Sequence, residues 1–120
     1  LGRFRTRIHR GLHWAVEVHL PRPGDPRAWD ALIRGDGWVY GVEAETHPTD
    51  CQALIRRLEL KARDGGTDGL LLVLPATRHA RAFDGAARDL LGAAFPVPGR
   101  RALELLAAGV DPGGNAVVVV

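Results

Sequence analysis

The chain has 120 residues, of which 46% are hydrophobic and 25% are charged, as expected for one globular domain with a single core. Its longest apolar runs are far shorter than the roughly 20 residues that cross a bilayer, and its single cysteine excludes an internal disulfide framework. We therefore expect a cytoplasmic domain without a membrane partner. The net charge of +2 permits a nucleic-acid partner but does not require one.

Residues 1–12 form a basic segment with arginine at nearly every second position: Arg3, Arg5, Arg7 and Arg10. We interpret the segment as a solvated arm or the end of an upstream linker, with a phosphate-contacting arm as the alternative. The chain opens at Leu1 and contains no methionine, so we expect a piece of a larger polypeptide. Residues 13–120 are then expected to form a single domain.

The first half of this domain is predicted to be a meander of three antiparallel strands. Residues His13–Leu20 alternate between apolar and polar side chains, which is typical of a half-buried strand. Trp14, Val16, Val18 and Leu20 are expected to share the apolar face. Two further strands, Trp29–Ile33 and Trp38–Glu45, flank the turn sequence Gly35–Gly37 and form a hairpin.

The second half is predicted to alternate helices and strands. Thr49 is expected to cap a helix whose apolar stripe is Cys51, Leu54, Ile55, Leu58 and Ala62, and Asp64-Gly65-Gly66 is expected to end it. Gly69–Leu74 is a continuous apolar run, which favours a buried strand parallel to a neighbour. A helix capped by Thr77, a short helix over Arg100–Ala108 and a strand over Ala116–Val120 complete an α/β domain around one mixed sheet.

Three acidic residues lie inside the apolar strands of the hairpin, where burying a carboxylate is energetically unfavourable. Asp30 lies on one strand, and the period of two places Glu43 and Glu45 together on one face of the next. Two carboxylates on one face repel unless a cation or a basic ligand lies between them. We therefore expect Asp30 to face Glu43 and Glu45 across the hairpin.

Asp30 followed by Glu43-Ala44-Glu45, on a meander that precedes a helix and a strand, resembles the PD-(D/E)xK nuclease superfamily, the restriction-endonuclease-like fold. The resemblance covers roughly residues 13–75, and the helix that usually precedes the meander is not expected here. It implies that Asp30 and Glu43 bind Mg²⁺ and that Glu45 occupies the position of the usual catalytic lysine. A Glu-x-Glu version of the motif occurs among restriction enzymes, and loss of the lysine is equally typical of an inactive relative.

Two residues of the helix after the meander bear on this resemblance. Gln52 matches a polar residue that some members of the superfamily contribute to the site, although it also completes a capping box with Thr49. Lys61 lies three turns along the same helix, so we do not expect it to replace the missing lysine.

Arg78, His79 and Arg81 stand at the start of the helix that follows the buried strand. Free backbone N–H groups and the helix dipole favour anions at such a position. The alternatives are a phosphate-binding cluster and an ordinary solvated first turn. The five histidines show no ligand spacing of the structural zinc kind, and the absence of serine excludes a serine hydrolase.

A second resemblance covers most of the chain. The tracts Gly24–Asp30, Gly41–Thr46 and Phe95–Ala102 resemble the C-terminal domains of bacterial helix-turn-helix regulators. It implies an upstream DNA-binding domain, with DNA as partner either directly or through that domain. Two functions stay open: a Mg²⁺-dependent nuclease, and a catalytically inactive sensing or dimerisation domain that forms a homodimer.

Overall fold

The computed structural model describes all of residues 1–120 and has one five-stranded mixed sheet with five helices. None of these helices is long and apolar enough to cross a membrane. The elements in chain order are α1 (Gly2–Arg7), β1 (His13–His19), β2 (Ala28–Arg34), β3 (Val39–Ala44), α2 (Cys51–Gly65), β4 (Gly69–Leu74), α3 (Arg78–Ala86), α4 (Arg88–Ala94), α5 (Gly99–Ala107) and β5 (Ala116–Val119).

The strands lie in the order β1-β2-β3-β4-β5. β1, β2 and β3 pair antiparallel, and β4 and β5 continue the sheet parallel to β3. The predicted meander, buried parallel strand and mixed α/β sheet are therefore confirmed. Helices α1 and α5 cover one face of the sheet, and helices α2, α3 and α4 cover the other.

The predicted basic arm is instead part of the folded domain. Residues Gly2–Arg7 form α1, whose Phe4 side chain is fully buried against α5 and the sheet, and Ile8 follows it into the same core. Arg5 and Arg7 lie on the exposed side of the helix. The alternation of exposed arginines with Phe4 and Ile8 is thus the pattern of a short amphipathic helix and not of a solvated arm.

Strands β1 and β2 are irregular at one position, next to the candidate acid Asp30. Their paired residues include Val16 with Ala31 and Val18 with Trp29, but not Glu17 with Asp30 between them. Glu17 has a φ of 50°, a left-handed conformation that is uncommon outside glycine. The regular alternation of side chains between the two faces of the sheet is broken here. Trp29 belongs to the core under α2, whereas Ala31, two residues later, belongs to the core under α1 and α5.

This irregularity overturns the prediction of one apolar face on β1. Trp14 packs against the core under α1 and α5, whereas Val18 and Leu20 pack on the opposite side of the sheet. Val16 lies just before the irregular position and is 60% exposed. A period of two assigns side chains to faces only while the strand stays regular.

The predicted helix ends differ from the observed ones at two places. Asp50, and not Thr49, caps α2, since its Oδ1 accepts a hydrogen bond from the N–H of Ala53 (3.0 Å). Gly66, with a φ of 65°, ends α2 as predicted. The helix that Thr77 caps is divided at Ala87 into α3 and α4.

The connection before β2 is fastened to the C-terminal end of α2 by charged side chains. The guanidinium of Arg27 contacts the carboxylates of Asp25 (2.7 Å) and Asp64 (2.8 Å), and Arg22 also reaches Asp64 (3.0 Å). Hydrogen bonds from Arg27 lower the pKa of Asp25 to about 2. These contacts fix the chain immediately before Trp29, and so they help to set where β2 begins.

Candidate functional site

The structure brings Asp30 and Glu43 together at the end of the β2–β3 ladder. The antiparallel pairing of β2 and β3 ends with Ala31 opposite Val42. The next residue on each strand, Asp30 before Ala31 and Glu43 after Val42, therefore lies beside the other. The Oδ2 of Asp30 accepts a hydrogen bond from the N–H of Ala44 (2.9 Å). Asp30 is exposed at the surface, whereas Glu43 is only 4% exposed, so the pair runs from solvent into the core.

Lys61 reaches this pair from α2 and forms an ion pair with Glu43. The contact joins Nζ of Lys61 to Oε1 of Glu43, and the two side chains are only 10% and 6% exposed. Lys61 therefore reaches Glu43 although it lies three turns along α2. Two carboxylates and one ammonium, Asp30, Glu43 and Lys61, form what we call the acid–lysine cluster.

Burial and the neighbouring carboxyl both favour the neutral form of Glu43. Burial raises the pKa of Glu43, a hydrogen bond with Asp30 raises it further, and Lys61 opposes both effects, leaving the pKa at about 7. A carboxyl with this pKa is part protonated at neutral pH. The buried carboxyl of Glu43 can therefore take up or release a proton near neutral pH.

Glu45, by contrast, does not join Asp30 and Glu43. It lies just beyond the end of β3, where its Oε2 pairs with the guanidinium of Arg57 on α2 (3.2 Å). No group of three or more His, Cys, Asp or Glu side chains in the structure is arranged to hold a metal ion. The acids that the sequence grouped as three are thus a pair, Asp30 and Glu43, with Glu45 engaged elsewhere.

Gln52 occupies the first turn of α2, on its exposed side. It lines a groove of about 340 Å³ between α2 and α4, together with Ile55 and Leu90. It forms no hydrogen bond with Asp30 or Glu43. Because Asp50 supplies the helix cap, the capping-box interpretation of Gln52 also fails.

The three residues predicted to bind phosphate divide into two kinds. Arg78 and Arg81 are exposed on α3 and take part in none of the ion pairs of the structure. His79 is engaged instead: its Nε2 lies 2.6 Å from the carbonyl oxygen of Pro48, and its ring stacks on His47 with centroids 3.8 Å apart. His79 therefore joins α3 to the loop between β3 and α2.

A signal for Lys61 was present in the sequence. Leu54, Leu58, Lys61 and Gly65 recur at spacings of four, three and four, which places them on one side of a helix, and all four are buried. A lysine within a buried stripe needs a partner, because an unpaired ammonium is costly to bury. Only the packing of α2 over β3 identifies that partner as Glu43.

Comparison with known proteins gave no match: no family model, no curated protein and no solved structure is significantly similar to this chain.

Proposed function

We propose that this chain is a PD-(D/E)xK, restriction-endonuclease-like domain that hydrolyses phosphodiester bonds of DNA with the help of Mg²⁺. The observation that carries the proposal is the acid–lysine cluster. It contains the two acidic positions and the lysine that the motif requires, although the lysine comes from α2 and not from β3. The antiparallel meander followed by a helix and a parallel strand supports the same proposal.

The donor atoms of the cluster suit the proposed metal. Mg²⁺ prefers carboxylate oxygens, needs only one or two of them from the protein and keeps several waters. Asp30 is open to solvent, while Glu43 is buried beside it, and burial raises the pKa of Glu43. Asp30 and Glu43 would hold the ion, which when bound stabilises charge on a phosphate and lowers the pKa of a water.

Each side chain of the cluster has a distinct part in this proposal. Asp30 presents an oxygen at the surface, where a DNA backbone can approach. Glu43 supplies the second oxygen from below. Lys61 is a donor with three N–H groups, one of which meets Glu43, so the others can orient a water or a phosphate oxygen at the buried side.

The test is a cleavage assay on plasmid DNA with Mg²⁺ or Mn²⁺. We expect cutting by the wild type, and a loss of at least about 100-fold in Asp30→Asn, Glu43→Gln and Lys61→Met. Asp36→Asn is the matched control, because Asp36 is an exposed carboxylate in the turn between β2 and β3. Cutting that persists in Asp30→Asn and Glu43→Gln would refute the assignment of the site.

A second function, an inactive sensing or dimerisation domain of a helix-turn-helix regulator, is favoured by one observation. The position of the usual lysine carries Glu45, which pairs with Arg57. The two functions are separated by following the carboxyl ¹³C resonances of Asp30 and Glu43 during titration with millimolar Mg²⁺. If the protein does not cut DNA and these resonances do not change, the regulator is favoured. For the regulator we further expect a homodimer in solution.

A further inference from the structure

Trp29 lies in the core under α2, beside the acid–lysine cluster, in a slot formed by two glycines. Its side chain is fully buried. A Cβ added at Gly41 on β3 would lie 2.5 Å from ring carbon Cε3, and one added at Gly65 on α2 would lie 2.7 Å from Cζ2. Both distances are too short for any side chain, so the ring is held in one place by the backbones of β3 and α2.

The face of this ring is turned to Lys61. Nζ of Lys61 lies 5.4 Å from the ring centroid of Trp29, within the distance at which a cation is attracted to an aromatic face. The same Nζ meets Glu43. The ammonium is therefore held from two sides, by the indole face and by the carboxylate.

Packing alone does not account for an indole at this position. The Nε1 of Trp29 is buried and has no hydrogen-bond partner, which is unfavourable relative to a satisfied group. A phenylalanine or leucine would fill apolar space without that cost. What the indole adds is the strongest cation-binding face among the aromatic side chains, and a cation lies over it.

We propose that Trp29 is a positioning residue, whose indole face holds the ammonium of Lys61 against Glu43. The irregular pairing of β1 and β2 makes this arrangement possible, because it turns Trp29 towards α2 while Asp30, its neighbour in the chain, meets Glu43. The two adjacent residues Trp29 and Asp30 of β2 thus supply the acid of the cluster and hold its lysine in position. The catalytic consequence rests on the proposed nuclease function, whereas the placement of Lys61 does not.

The placement can be measured directly, because Lys61 is the only lysine of the chain. Selective ¹³C,¹⁵N-lysine labelling gives one lysine ε-CH₂ correlation in an NMR spectrum. In the wild type we expect its proton resonance to be displaced upfield from that of an exposed lysine by the ring current of Trp29. The displacement should be lost in Trp29→Leu and partly kept in Trp29→Phe, which has a smaller aromatic face. Trp38→Leu is the control, since Trp38 packs on the opposite face of the sheet.

The functional readout is the effect on the cleavage of plasmid DNA. We expect kcat to fall about 10- to 100-fold in Trp29→Leu with KM unchanged, and to recover in part in Trp29→Phe. A displaced resonance in an enzyme that does not cut would refute the nuclease and keep the role of Trp29 in placing Lys61. An undisplaced ε-CH₂ resonance in the wild type, or an unchanged one in Trp29→Phe and Trp29→Leu, would overturn the positioning role. If Trp29→Leu does not fold, Trp29→Phe decides alone.

Discussion

Burial of Glu43 beside Asp30 makes the stability of the domain depend on pH in a direction that is unusual for a carboxylate. The pKa of Glu43 is about 7 in the folded protein, above its ordinary value of 4.5. Between these two values the folded state keeps a proton that the unfolded state has released, so the free energy of unfolding decreases as pH rises. Asp25 and Asp64 do not contribute in this window, since their pKa values are lowered.

We therefore expect urea denaturation to give a free energy of unfolding that decreases as pH rises from about 4.5 to about 7. Glu43→Gln should lose this contribution, because the amide does not titrate. Lys61→Met should keep the fall and extend it to higher pH, since removing the ammonium raises the pKa of Glu43 further. A wild-type stability that increases over the same range would contradict the assignment.

At the scale of elements, α2 carries the lysine and its first turn is stabilised by a residue that the capping-box pattern did not select. The pattern indicated Thr49, because Gln52 stands three residues later. In the structure the cap lies one residue later, and Oδ1 of Asp50 accepts a hydrogen bond from the N–H of Ala53. Both residues are good caps, and the choice between them depends on where the loop after β3 delivers the chain.

Two alanine substitutions test this difference. We expect Asp50→Ala to lower the free energy of unfolding by about 1 kcal/mol, because it removes the hydrogen bond to the first turn of α2. Thr49→Ala should change it by less than about 0.5 kcal/mol, as for an exposed residue without a special contact. Urea denaturation of both variants beside the wild type gives the comparison. The reverse order of effects would restore Thr49 as the cap.

At the scale of the whole molecule, the domain includes its first residues. Helix α1 and helix α5 close one face of the sheet, while α2, α3 and α4 close the other. A five-stranded sheet with an uncovered apolar face would not be stable in water. The segment with the most arginines is therefore part of the core packing on this face of the sheet.

Phe4→Ala measures this contribution. We expect it to lower the free energy of unfolding by about 3–5 kcal/mol, because a fully buried aromatic ring is replaced by a cavity. Arg3→Ala, one residue away on the exposed side of α1, is the matched control and should change it by less than about 0.5 kcal/mol. Equal stability of Phe4→Ala and the wild type in urea would return α1 to the role of a detached arm.

Local patterns were sufficient for most elements. The alternation of residues on the strands, the apolar run Gly69–Leu74 and the stop at Gly66 act within a few residues of the chain, so they are legible without a structure. The same local rules located Asp30 and Glu43 as acids inside neighbouring strands. Of the site, therefore, its acidic half could be predicted.

Three features were decided only by tertiary packing. The partner of Lys61 depends on how α2 crosses β3, the face of Trp29 depends on the irregular pairing at Glu17, and the burial of Phe4 depends on α5, which is distant in sequence. Each is a contact between elements, and its energy is gained only when both are in place. Within a regular element, sequence periodicity determined which side chains share a face. The packing of the elements decided which residues those side chains contact.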